Sequence, residues 1–304
     1  MPTHFADELT DRCQACGAPV CVGMDPVFER LPCSLRQGLD PRSPLQAVGA
    51  IRAFVEGVLE AVRAHVPCVK FQSACFERYG HEGVRAYHEL VSAAAESGLL
   101  VIGDAKRGDI GISAAHYAAG CLDDLPLDGG GMLRGPDALT VNPYLGDDAL
   151  EPFLEVAARS GRGLFVLVRT SNPGGDRLQN LELARGGTVA QAVARMVAEI
   201  GASSVGRHGY SLVGAVVGAT KPQDAAALRA AMPRQVFLVP GFGAQGGTAD
   251  DVRACFKPDG TGAIITASRS VLFAYEKTGE SDWQGAIERA AIEMKQQVRQ
   301  ALGG

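Results

Sequence analysis

The chain has 304 residues, 46% of them hydrophobic and 21% charged, with a net charge of −5. That is enough apolar material to bury a large core without disulfide or metal staples, and the acidic balance excludes general affinity for nucleic acid or anionic membrane. A bound phosphate would have to be gripped by a few local cations and backbone donors.

No stretch approaches the roughly 18 uninterrupted apolar residues that a membrane-spanning helix requires. Residues Met1 to Asp11 carry Asp7, Glu8 and Asp11 and have neither a basic start nor an apolar run. A cytoplasmic location is the expectation. Phe5–Cys16 reads as a helix ahead of the first strand, placed to cover one end of the fold.

Eight short apolar runs follow, separated by amphipathic stretches. The runs are Val20–Met24, Cys68–Gln72, Leu99–Ala105, Ala138–Val141, Gly163–Val168, Leu212–Val217, Gln235–Val239 and Ala263–Ala267. They are rich in Val, Leu and Ile without polar alternation, as parallel strands buried on both faces should be. Leu45–His65, Glu82–Ser97, Leu150–Ser160, Val189–Gly201, Gln223–Met232 and Trp283–Leu302 have helical spacing. Eight βα repeats suit a closed (β/α)8 TIM barrel of the α/β class, one domain over residues 1–304, better than an open sheet. Residues 122–136, with Gly129-Gly130-Gly131 and two prolines, read as a flexible surface insertion before the fourth strand.

The eight cysteines are scattered at 13, 16, 21, 33, 68, 75, 121 and 255. Cys13-x-x-Cys16 has no second pair to complete a four-ligand metal site. Reduced, mostly buried thiols are the better reading.

In a barrel the chemistry gathers at the carboxyl ends of the strands. There the chain places Asp25 after the first run, Lys70 in the second, Asp104, Lys106 and Asp109 at the third and Asn142 at the fourth. Arg169-Thr170-Ser171-Asn172 ends the fifth, Thr220-Lys221 follows the sixth, Gly241–Gly247 the seventh and Ser268-Arg269 the eighth. Any one of these could be a solvated strand end. Charges at 70, 104 and 106, however, fall within otherwise apolar strands, where burial without partners costs several kcal/mol each. Residues two apart on a strand share a face, so Asp104 and Lys106 should be neighbours, with Lys70 within reach of Asp104. Such a row could be a structural ion network or a catalytic array. Pro240–Gly247 offers backbone N–H groups to an anion, and Arg269 beside it can grip phosphate. A plain tight turn would use the same glycines.

Asp104-Ala-Lys106-Arg-Gly-Asp109-Ile110 resembles the D-x-K-x-x-D-I signature of orotidine 5′-phosphate decarboxylases, in the form of the longer bacterial (type 2) subfamily. The resemblance runs from Val22-Gly-Met-Asp-Pro26 through Val69–Gln72, Thr170–Gly174 and Pro240–Gly247 to Ser268-Arg-Ser270. It implies conversion of orotidine 5′-phosphate to UMP, with no metal or organic cofactor. Catalytic roles would fall on Lys70, Asp104, Lys106 and Asp109, and Asp109 would reach the partner's site in a homodimer. Asp25 and Lys70 would hold ribose, with Ser113 from the partner, Ser171 the pyrimidine, and Gln245 and Arg269 the phosphate. Ile112-Ser113 departs from the small hydroxyl residues more usual at that place. Two alternatives stay open: a magnesium-dependent decarboxylase or aldolase of the same superfamily acting on a sugar phosphate, or a non-catalytic nucleotide-binding barrel. The first generally carries a glutamate on the second strand, where this chain has Lys70.

Overall fold

A computed structural model describes residues 3–219, 222–242, 252–279 and 281–303. Eight parallel strands close into a barrel in chain order: β1 (Val20–Met24), β2 (Cys68–Gln72), β3 (Leu100–Arg107), β4 (Ala138–Val141), β5 (Gly163–Arg169), β6 (Val213–Val217), β7 (Phe237–Pro240) and β8 (Ala263–Ala267). β8 pairs with β1, as Val20 opposite Ile265, so no edge remains. This is a (β/α)8 TIM barrel.

The main helices are α1 (Phe5–Cys16), α2 (Pro44–Val62), α3 (Gly80–Glu96), α4 (Gly111–Cys121), α5 (Glu151–Ser160), α6 (Val189–Ile200), α7 (Pro222–Ala231) and α8 (Trp283–Ala301). None is long and apolar enough to cross a membrane. Each strand's outward residues pack on this helical ring, as Val20, Val22 and Met24 do on β1. Inward residues form a separate core inside the barrel, including Cys21, Cys68, Leu100, Ile102, Ala138, Phe165, Val216, Leu238 and Ile264. Strand periodicity of two sorts the side chains into these two cores.

α1 seals the amino end of the barrel. Phe5 meets Phe165 edge to face at 5.8 Å, and a Cβ on Gly163 would stand 2.2 Å from the Phe5 ring. The amino end of the barrel is therefore packed at its centre.

Residues 122–136 are more ordered in form than a plain loop. Leu125–Pro126 and Met132–Leu133 pair antiparallel, and the three glycines between them all take positive φ, which lets the chain reverse within a few residues. At the base, Asp124 accepts the Gly135 N–H at 2.8 Å and pairs with Arg162, while Arg159 pairs with Asp123. None of the eight cysteines forms a disulfide.

Candidate active site

Toward the carboxyl ends of the strands the inward positions turn polar. Lys70 and Gln72 continue the inward face of β2, Asp104 and Lys106 that of β3, Thr140 that of β4 and Thr266 that of β8. They line one cavity of about 450 Å³ with Asp25, Thr170, Ser171, Asn172, Phe242, Ser268 and Arg269. Leu167, Val216 and Leu238 form its apolar base.

Asp104 is the hub. Its Oδ2 accepts from Lys70 Nζ at 2.5 Å and Gln72 Nε2 at 3.2 Å. Its Oδ1 accepts from Lys106 Nζ at 2.5 Å and Thr140 Oγ1 at 2.9 Å. Four donors saturate both oxygens of a residue that is only 6% exposed. Burial alone would raise its pKa, but the ammonium groups of Lys70 and Lys106 outweigh that and hold the carboxyl far below the usual range. Asp104 is thus a fixed anion, not a base.

Lys70 is buried between two carboxylates, 2.5 Å from Asp104 and 3.7 Å from Asp25. Burial would lower its pKa; Asp104 and Asp25 overcome this and raise it above the ordinary lysine value. Lys106 has the same carboxylate partner but a side chain 44% exposed at the cavity. The row therefore alternates Asp25, Lys70, Asp104, Lys106, with one cation locked inside and one presented to a ligand.

Two buried oxygens at the cavity, Asp25 Oδ1 and Thr266 Oγ1, have no hydrogen-bond partner among the described residues. Buried acceptors left open in this way fit ligand hydroxyl or N–H groups. Arg269 lies across the mouth at the start of the short helix Arg269–Leu272.

Not every polar strand end joins the cavity. Arg169 turns away from it, because the β5–β6 register slips between Leu167 and Arg169 and breaks the inward alternation. Its guanidinium is buried outside, paired with Asp224 and Asp176 at 2.6 Å each and donating to Gln179 at 3.1 Å. That cluster braces the turn carrying Thr170, Ser171 and Asn172. Asn142 caps its own turn, accepting the Tyr144 N–H at 3.0 Å. Asp109 and Ser113 lie apart from the cavity, on the outer face at the start of α4 with Ile112, His116 and Tyr117. Gln245, and Thr220-Lys221 after β6, fall outside the described residues.

Thr140 and Thr266 were not singled out from the sequence. Each is a lone hydroxyl near the carboxyl end of an apolar run, and inward parity is the signal that marks it.

Residues 19–282 match the profile of the orotidine 5′-phosphate decarboxylase/HUMPS family. A Rhodopirellula baltica orotidine 5′-phosphate decarboxylase is 45% identical over 301 residues, covering 97% of this chain and 99% of its own. One from Deinococcus radiodurans is 40% identical over 304 residues, the whole of both chains. The structure of Leishmania donovani OMP decarboxylase superposes with a TM-score of 0.74 at 28% identity, covering 99% of this chain and 100% of that one. With Lys70, Asp104 and Lys106 arrayed around one barrel mouth, this chain belongs to the orotidine 5′-phosphate decarboxylase/HUMPS family.

Proposed function

We propose that this chain decarboxylates orotidine 5′-phosphate to UMP in pyrimidine biosynthesis, with Lys106 as the group that stabilises and protonates C6. The observation that carries the reading is the asymmetry of the two lysines on Asp104: Lys70 is sealed in, while Lys106 is aimed into the cavity.

Breaking the C6–carboxylate bond releases CO2 and leaves an electron pair in the ring plane, where the π system delocalises it poorly. A cation already in place can stabilise that charge without reorganising. The Lys106 ammonium fills this role, then transfers a proton to C6 as general acid and regains one from solvent. Asp104 keeps Lys106 aimed, and Lys70 keeps Asp104 ionised. Asp25, with its open oxygen, and Lys70 suit the ribose hydroxyls, Ser171 the pyrimidine, and Arg269 with Gln245 the phosphate. The phosphate is remote from C6, so its binding energy contributes to orientation and to excluding water.

Asp109 and Ser113 would serve a partner's site in a homodimer. Their separation from this chain's own cavity favours that reading, as does the exposed apolar surface around them, with Ile110 58% and Ile112 75% exposed.

A magnesium-dependent sugar-phosphate reaction is disfavoured by Lys70, which puts a cation where a divalent metal would need a carboxylate. The deciding assay follows the loss of orotidine 5′-phosphate absorbance with EDTA present. Turnover is expected. A protein that binds UMP yet shows no turnover under these conditions would sink the reading.

A further inference from the structure

Lys106 is the one non-glycine among the described residues with a positive φ, at 48°. For a residue bearing a long side chain this left-handed conformation costs about 1 kcal/mol or more, and it persists only where its surroundings impose it. The constraint lies in the β3–β4 pairing. Gly103 stands opposite Leu139 and Arg107 opposite Val141, so β3 takes four steps where β4 takes two. The extra residues form a bulge, and Lys106 is in it.

Both ends of the bulge are tied down. At the far end the Asn142 N–H donates to the Arg107 carbonyl at 2.7 Å, and the Arg107 guanidinium pairs with Glu77 and lies over the Tyr117 ring. At the near end stands Thr140, which is 1% exposed. Its Oγ1 accepts the Lys106 backbone N–H at 2.9 Å and donates to Asp104 Oδ1 at 2.9 Å. A buried threonine of no special role would satisfy its hydroxyl on a nearby carbonyl of its own chain segment. Here one hydroxyl joins the backbone of one charged residue to the carboxylate that holds that residue's ammonium.

We propose that Thr140 is a positioning residue: its hydroxyl locks Lys106 into the left-handed bulge and so sets where the ammonium stands over C6. The inference rests on the proposed role of Lys106, and it assigns Thr140 no contact with substrate.

The test compares Thr140→Val, which keeps shape and loses the hydroxyl, with Thr140→Ser, which keeps the hydroxyl. A misplacement of about 1 Å can reduce turnover on the order of a hundredfold. Thr140→Val should therefore lose kcat on that scale while UMP affinity stays within about threefold, and Thr140→Ser should recover most of the loss. Unchanged kcat in Thr140→Val overturns the proposal, as does a parallel loss of kcat, UMP affinity and thermal stability in both variants. Crystal structures give a readout independent of the reaction. In Thr140→Val the Lys106 backbone should leave the left-handed region or its ammonium should leave Asp104. If both stay in place the proposal fails, whichever substrate the enzyme turns over. Absence of orotidine 5′-phosphate turnover in the unaltered chain would instead count against the function.

Discussion

Lys106 and Asp104 stand two positions apart and meet at 2.5 Å, yet a regular strand does not join them. The bulge between Gly103 and Arg107 intervenes, so the contact depends on a left-handed Lys106 and not on simple pleat alternation. Strain held at one cation suggests that its position matters more than the stability of the strand end.

Replacing Lys106 by alanine should leave nucleotide binding nearly intact, because Asp104 keeps Lys70, Gln72 and Thr140 as donors. The stabilising charge and the proton donor would both be gone, so kcat should fall by on the order of a thousandfold or more. Steady-state kinetics and UMP titration of the variant check this. Turnover near that of the unaltered enzyme would remove Lys106 from the centre of the mechanism.

The saturated carboxylate also predicts a pH signature in stability. In the unfolded chain an aspartate protonates near about pH 3.9, whereas folded Asp104 stays ionised well below that. Under acid the unfolded state therefore takes up a proton that the folded state refuses, and the Asp104 contribution is lost as pH falls below about 4. It is fully present above that range. The stability gap between the unaltered protein and Asp104→Asn should accordingly be widest near pH 6 and shrink toward pH 3, measured by urea unfolding. A gap that stays constant or widens in acid would mean the carboxylate is not held ionised by its lysines.

Arg269 is exposed at the cavity mouth, so its removal should act mainly on binding. A charge-assisted hydrogen bond to phosphate contributes about 2 kcal/mol, or roughly thirtyfold in affinity. Arg269→Ala should weaken UMP binding by that order and leave uridine binding unchanged, as calorimetry can show. Equal losses for both ligands would place Arg269 elsewhere than on the phosphate.

The barrel was legible because its strands are near-continuous apolar runs, and four of the eight runs, Val20–Met24 among them, have the same bounds in the structure. The meeting of Lys70, Asp104 and Lys106 was legible too, since buried charges require partners. What the residues could not reveal was backbone irregularity. Extra residues in β3 and one in β5 leave no mark in a pattern of Val, Ile and Leu, so the bulge at Lys106 and the outward turn of Arg169 appear only with the strand register. Thr140 stayed hidden for a related reason. A threonine is at home in any strand, and only its two partners distinguish it.

Asp109 borders no part of this chain's central cavity and shares a surface patch with Ser113 at the start of α4. If it completes the site of a second copy, Asp109→Ala and Lys106→Ala should each be impaired alone, but a mixture allowed to exchange subunits should regain activity. A mixed dimer then holds one site with an intact Lys106 from one subunit and an intact Asp109 from the other. If Asp109 served its own subunit, both sites of the mixed dimer would remain damaged and mixing would restore nothing. Activity measured before and after exchange, with the dimer verified by light scattering, separates the two arrangements.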